Sequence, residues 1–283
     1  MNHTESANGE QAALWNGPSG RAWVDTQAVL DRMFEPFEQL LVEAAVATSA
    51  RRVLDVGCGT GAVTVAIARR LGAQGRCTGI DVSAPMLDAA RARAGRERAH
   101  ADFIRADAQT HAFGDARFDL IVSRLGVMFF DDPVRAFANL RHAAADGARL
   151  CAIAWRGAAD NPFMTTAERA AAPLLPNLPP RVPGAPGQFG FGDRARVASI
   201  LEASGWADID IRAIDVQCVL PTHALADYVS RLGPVGIALR DVDDATRMRV
   251  VETMCAAFAR YVQGDELRYD AACWMIGARR RAA

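Results

Sequence analysis

Val53-Leu-Asp-Val-Gly-Cys-Gly-Thr-Gly61 is an apolar run that ends in a carboxylate and then breaks into a loop with glycine at every second position. Helix-forming residues follow at once: Ala62, Val63, Val65, Ala66, Ile67 and Ala68. Glycines so placed let a backbone turn tightly and let a ligand lie directly against it. The start of the next helix adds unpaired N–H groups. The stretch reads as a strand–loop–helix nucleotide site, with Asp55, Gly57, Cys58, Gly59 and Gly61 at its centre.

Two nucleotides compete for it. Gly57 to Ala62 also satisfies G-x-G-x-x-G/A, and Asp81 lies about 20 residues on, where an acid would hold a ribose hydroxyl. The glycines alone do not separate NAD from S-adenosylmethionine. Asp55 does. It stands two residues before the first glycine, where a pyrophosphate would meet like-charge repulsion in a partly desolvated cleft. S-adenosylmethionine has no phosphate and carries an ammonium and a sulfonium, so a carboxylate suits it.

Working outward, the chain resembles the class I S-adenosylmethionine-dependent methyltransferases, in the style of the ubiquinone/menaquinone-type and secondary-metabolite small-molecule enzymes. Asp55 to Gly61 matches the family's first motif, and Gly79-Ile-Asp-Val-Ser83 its second. Arg105-Ala-Asp-Ala108, Phe118 to Ser123 and Asp146 to Leu150 resemble the third, fourth and fifth strand regions, in the family's order. The resemblance implies an α/β fold: a Rossmann-like, doubly wound, seven-stranded sheet, mainly parallel, with an antiparallel C-terminal hairpin, N-terminal helices and lid insertions.

The residue pattern agrees. Strands are expected near 52–56, 76–81, 101–106, 118–123, 148–154, 207–217 and 271–277. Ser83 with Pro85, and Asp132 with Pro133, signal helix starts. Alternation of strands and helices with short loops means a mainly parallel sheet with its ligand at the carboxyl ends of the strands. Residues 1–12 are expected to lack structure. Leu30, Phe34, Phe37, Leu41 and Ala44 keep helical spacing, and Pro36 predicts a kink or a second helix. The stretch from Pro173 to Gly190 is rich in proline and glycine and reads as a lid or binding loop. The layout expected is 1–50 as cap helices, 51–155 as the cofactor-binding core, and 156–283 as the rest of the sheet with an inserted acceptor lid, all in one structural domain.

Bulk properties exclude much. A net charge of −1 over 283 residues gives no field favouring nucleic acid or an anionic membrane. There is no lysine, which removes Schiff-base chemistry and a Walker A loop. The six cysteines form no C-x-x-C pair, so no metal is expected. The polar first residues and the absence of a long apolar run predict a cytoplasmic protein, monomer or homodimer, with no membrane or nucleic-acid partner.

The resemblance assigns the cofactor residues. Gly57, Cys58 (backbone), Gly59 and Gly61 line the methionine and ribose portions, Asp55 meets the ammonium, and Asp81 the ribose hydroxyls. Asp107 and Ala108 read the adenine edge, unless Asp107 only caps a turn. Met86 packs on the adenine or in the core. Ser123 faces the methionine part or the acceptor, and Arg21, between Trp15 and Trp23, folds over to the cofactor carboxylate or is a surface residue. Arg124, Met128, Trp155 and Trp15 are expected to line the acceptor pocket. No catalytic residue is singled out: the sulfonium is already activated, and a base is needed only if the acceptor must lose a proton. His111 and His223 fall in loops near the expected mouth. The expected function is methyl transfer to a small aromatic or heterocyclic metabolite. The competing readings are a protein of this fold that uses the cofactor for a non-methylating reaction or for sensing, and a nicotinamide-dependent oxidoreductase.

Overall fold

Val53, Leu54 and Val56 are almost wholly buried, as in a central parallel strand covered on both faces. The computed structural model describes residues 4–115 and 117–282. In chain order its elements are α1 (Thr4–Asn16), α2 (Pro18–Asp25), α3 (Gln27–Ala47), β1 (Arg52–Val56), α4 (Ala62–Leu71), β2 (Arg76–Asp81), α5 (Ala84–Glu97), β3 (Ala101–Arg105), β4 (Phe118–Arg124), α6 (Pro133–Ala143) and β5 (Ala144–Trp155). Then come α7 (Pro162–Ala171), α8 (Arg194–Ala203), β6 (Ala207–Pro221), α9 (Leu225–Arg231), α10 (Gly233–Ala238), α11 (Asp244–Ala257), β7 (Val262–Gln263) and β8 (Glu266–Arg279).

The sheet runs β3-β2-β1-β4-β5-β8-β6, with the two-residue β7 added beside β8. β1 to β5 pair in parallel, whereas β8 lies antiparallel between β5 and β6. The seven expected strands are therefore present, with one short strand more. The closing hairpin is longer than its apolar core suggested, since β6 and β8 pair from Ala207 opposite Arg279 to Pro221 opposite Glu266. Strand order reverses between β1 and β4, which opens a crevice at their carboxyl ends.

α3, α4 and α5 pack side by side on one face, and α6 and α8 pack together over the other. α7, α9, α10 and α11 form a helical group of their own. Helix starts follow the sequence signals: Ser83 accepts from the Met86 N–H, Asp132 from the Arg135 N–H and Asp193 from the Ala195 N–H.

Two expectations need correction. The segment 1–12, expected to lack structure, is helical from Thr4; residues 1–3 lie outside the described residues. Pro36 neither starts a second helix nor ends one, because α3 continues through it. Proline inside a helix costs about 3 kcal/mol. α3 buries Leu30, Met33, Phe34, Phe37, Leu41 and Ala45 on one face, and each large apolar side chain contributes about 1.5–3 kcal/mol. That burial outweighs the break.

Candidate functional site

β1 delivers the chain to Gly57, where φ is +67°. A Cβ there would come within 2.8 Å of the Gly126 Cα, so both conformation and space require glycine. Gly61, with φ +79°, starts α4, and a Cβ on it would meet the Ala90 Cβ at 2.8 Å. The loop is thus pressed between the turn after β4 and the side of α5. Its free edge, Gly57, Cys58, Gly59 and Thr60, lines a cavity of about 1580 Å³. Gly61 is outside that lining and serves helix packing. Burial pushes the Cys58 thiol well up, so it offers backbone rather than a thiolate.

Two carboxylates flank the loop. Asp55 is buried and accepts from the Thr64 hydroxyl at 2.6 Å. Burial raises its pKa to about 6, against the opposing pull of the Thr64 bond and of Arg124. Asp81 accepts from the Gly59 N–H at 2.8 Å on one oxygen and from the Ser83 N–H at 2.9 Å on the other. These bonds fix the carboxylate against the glycine loop. Each oxygen has a lone pair left for an outside donor. Asp107 accepts from the Gln109 N–H at 2.8 Å; it caps a turn and still lines the cleft beside Ala108 and Met86.

α1 is held against this edge by contacts that no sequence motif announces. The Asn16 amide donates to the Val82 carbonyl at 3.0 Å and its oxygen accepts from the Ala84 N–H at 2.9 Å. Ser83 Oγ donates to the Trp15 carbonyl at 2.6 Å. Trp15 consequently covers the cleft, edge-on to Trp23 and Phe129. Arg21 does not accompany it. α2 turns that side chain outward, and it lines a separate depression with Arg231, Arg240 and Arg247.

Ser123 is also outside the cleft lining. Its hydroxyl donates to the Val56 carbonyl at 2.7 Å and accepts from the Gly126 N–H at 3.2 Å. It ties the ends of β1 and β4 together from below. Arg124, Met128 and Trp155 do line the cavity. Trp155 packs edge-on to Phe34 and Phe37 at 6.1 and 6.0 Å, and the Arg124 guanidinium carbon is 5.9 Å from the Phe34 ring centroid. Burial lowers the pKa of Arg124, opposed by Glu38, Asp31 and Asp55.

The far wall comes from the helices inserted after β5: Phe163 and Met164 of α7, Tyr228 of α9, Val235 of α10, and Phe258 just after α11. A flap over 180–193 closes the side. The Gly187 N–H donates to the Met128 carbonyl at 3.0 Å, and Trp274 Nε1 to the Gly192 carbonyl at 3.1 Å. Arg181 pairs with Glu168 and lies 4.5 Å over the Phe189 ring. His111 packs edge-on to Phe113, and neither it nor His223 lines the cleft.

The glycine end of the cleft suits a cationic nucleoside without phosphate. A bare backbone cradle runs between two carboxylates, and the loop holds no arginine to balance a pyrophosphate. Residues 53–147 match the family model of a methyltransferase domain. Aklanonic acid methyltransferase DauC of Streptomyces sp. strain C5 is 32% identical over 135 residues, 46% of this chain and 61% of that protein. Demethylmenaquinone methyltransferase of Lactiplantibacillus plantarum is 34% identical over 119 residues, 41% of this chain and 49% of that one. The chain thus spans about half to three fifths of the length of these relatives. The crystal structure of the YcgJ protein of Bacillus subtilis shares the fold, with a TM-score of 0.57 at 16% identity over 87% of this chain and 98% of that one. Residues 53–147 are thus similar to a methyltransferase domain with S-adenosylmethionine as its cofactor, and the chain around them has the fold of Rossmann-like methyltransferases.

Proposed function

We propose that this protein transfers the methyl group of S-adenosylmethionine to a small aromatic or heterocyclic acceptor by in-line displacement. One observation carries the reading: a single cleft runs from the glycine loop into a chamber walled by Met33, Phe34, Met128, Trp155, Phe163 and Tyr228. Apolar, aromatic walls with few polar groups suit a planar metabolite. The relatives named for aklanonic acid and demethylmenaquinone also carry small-molecule names.

In this reading Asp55 meets the cofactor's ammonium and Asp81 its ribose hydroxyls. Gly57, Cys58 and Gly59 give backbone, and Met86, Asp107 and Ala108 the adenine subsite. The cofactor supplies an activated methyl group. The chain's own contribution is alignment and exclusion of water, through Trp15 and α1 on one side and the 180–193 flap and lid helices on the other. Residues 1–50 act as the cap, 51–155 as the cofactor-binding core, and 156–283 as the rest of the sheet with its acceptor lid.

Incubation with methyl-labelled S-adenosylmethionine and a cell extract tests it. Label appearing in a small aromatic product supports the reading. Tight S-adenosylhomocysteine binding with no labelled product would point instead to a non-methylating use of the cofactor. Binding of NADH but not of S-adenosylhomocysteine would overturn the reading altogether.

A further inference from the structure

We propose that Arg124 is the anion receptor of the acceptor chamber, and that the acceptor is an aromatic molecule presenting a negatively charged oxygen. That oxygen belongs to a carboxylate or to the conjugate base of an acidic phenol or enol. The proposal rests on the methyl-transfer reading and narrows its substrate class.

Arg124 ends β4, between the glycine loop and the Phe34–Trp155 wall of the chamber. Its Nη1 is buried and has no hydrogen-bond partner. Among the described residues it forms no ion pair within 4 Å: Glu38 is the carboxylate whose charge acts on it most, Asp31 is committed to Arg93, and Asp55 to Thr64. A guanidinium stays charged in a protein and presents its donors in a fork matched to a carboxylate. Leaving one of its buried donors without a hydrogen-bond acceptor is costly. The backbone beside it is strained as well, since Leu125 has φ +62°, a conformation kept where the surroundings impose it.

The other arginines lining the cleft are differently placed. Arg181 is spent on Glu168, Arg196 donates to the Gly184 carbonyl, and Arg231 stands between Asp25 and Asp227. Arg135 is exposed on α6.

The same lining offers no ready base. It contains no histidine among the described residues. Asp55, Asp81, Asp107 and Asp193 accept bonds from Thr64, from the Gly59 and Ser83 N–H groups, from the Gln109 N–H and from the Ala195 N–H respectively. Glu168 is paired. Among the described residues, then, no histidine lines the chamber, and each carboxylate there is already oriented by a protein donor and not by the acceptor's proton. An anionic oxygen needs no base. The bond formed is oxygen to methyl carbon, the bond broken is methyl carbon to sulfur, and its electron pair stays on sulfur with no proton left over.

The test uses the full chain saturated with S-adenosylhomocysteine and three matched probe pairs: benzoate and benzamide, 1-naphthoate and 1-naphthamide, 9-anthroate and its amide. Calorimetry should show at least one carboxylate binding about tenfold or more tighter than its amide, the scale of a hydrogen bond to a charged group. Arg124→Gln should abolish that preference and leave the amide's affinity unchanged. Arg124→Lys, which keeps the charge, should retain part of it. Equal affinity within all three pairs for the wild type overturns the proposal, whether or not the glutamine variant folds. So does a carboxylate preference that survives in Arg124→Gln. Loss of S-adenosylhomocysteine affinity in Arg124→Gln, with the preference intact, would assign the arginine to the cofactor's carboxylate instead. The wild type's own titration with S-adenosylhomocysteine is a separate readout, and failure there would sink the methyl-transfer reading itself.

Discussion

The Thr64 hydroxyl donates to the Asp55 carboxylate over 2.6 Å, joining the first turn of α4 to the end of β1 beneath the glycine loop. This bond orients a carboxylate that burial would otherwise disfavour, and the balance leaves Asp55 with a pKa of about 6. The native state therefore holds the proton more tightly than the unfolded chain. The associated stability is fully present below the unfolded value near 3.8 and is lost as pH rises through about 6. At pH 7.5 the ligand-free protein carries that cost, of the order of 3 kcal/mol at most. Asp55→Asn should raise stability to denaturant at pH 7.5, with the gain shrinking towards pH 4.

Cofactor binding should run the other way. An ammonium needs the ionised carboxylate, so S-adenosylhomocysteine affinity should rise up to about tenfold per pH unit between pH 5 and 6 and flatten above 7. Asp55→Asn should bind weakly and without this slope. Calorimetry across pH 5–8 decides it. A flat wild-type profile would mean that Asp55 does not meet the charged group.

Gly57→Ala should fail twice over. The left-handed backbone costs a side chain about 1–2 kcal/mol, and the added carbon would press on Gly126 Cα at 2.8 Å, a backbone atom with little freedom to move. A loss of about 2 kcal/mol or more in urea unfolding is expected, together with loss of S-adenosylhomocysteine binding. Wild-type stability in this variant would show that the two loops can separate cheaply.

How much of this was legible follows from what each residue depends on. Gly57, Asp55 and Asp81 were readable because local sequence alone sets a strand end, a tight loop and a helix start. Ser123 and Arg21 were misplaced for a different reason: each was assigned by proximity in sequence to the site. Ser123 spends its hydroxyl on the Val56 carbonyl and the Gly126 N–H, and α2 carries Arg21 to the outer surface. Thr64 carried a weak signal, a polar side chain in the apolar run Val63 to Ile67. Asn16 carried none, because its partners are 66 and 68 residues away. The flap likewise took shape only through distant contacts, such as Gly187 on Met128.

Asn16→Ala tests that long-range clamp. It removes the bonds to Val82 and Ala84, each contributing about 0.5–1.5 kcal/mol, and so frees α1 from the β2–α5 turn. Hydrogen exchange over residues 9–25 should speed up about tenfold or more, and S-adenosylhomocysteine should dissociate faster, while unfolding of the sheet changes little. Unaltered exchange in α1 would show that Ser83 Oγ and the Trp15 packing suffice to hold the cap.

Asn161 is expected to decide the acceptor half in the same way. Its position ahead of α7 reads as a helix cap, but its side chain makes no capping bond there. Instead it donates to the Ala272 carbonyl at 2.9 Å and accepts from the Ala272 N–H at 3.0 Å, imitating a paired strand residue against β8. Asn161→Ala would leave the buried Ala272 N–H without its partner, at about 1–3 kcal/mol, while the Ala272 carbonyl keeps the Arg156 N–H at 2.9 Å. It would also unhook α7, which brings Phe163, Met164 and Glu168 to the chamber. The variant should lose about 2 kcal/mol in denaturant unfolding and bind 1-naphthoate several-fold more weakly, with S-adenosylhomocysteine affinity within about twofold of wild type. Equal weakening of both ligands would mean that α7 supports the glycine loop as well as the chamber, and that the two halves of the cleft are not independent.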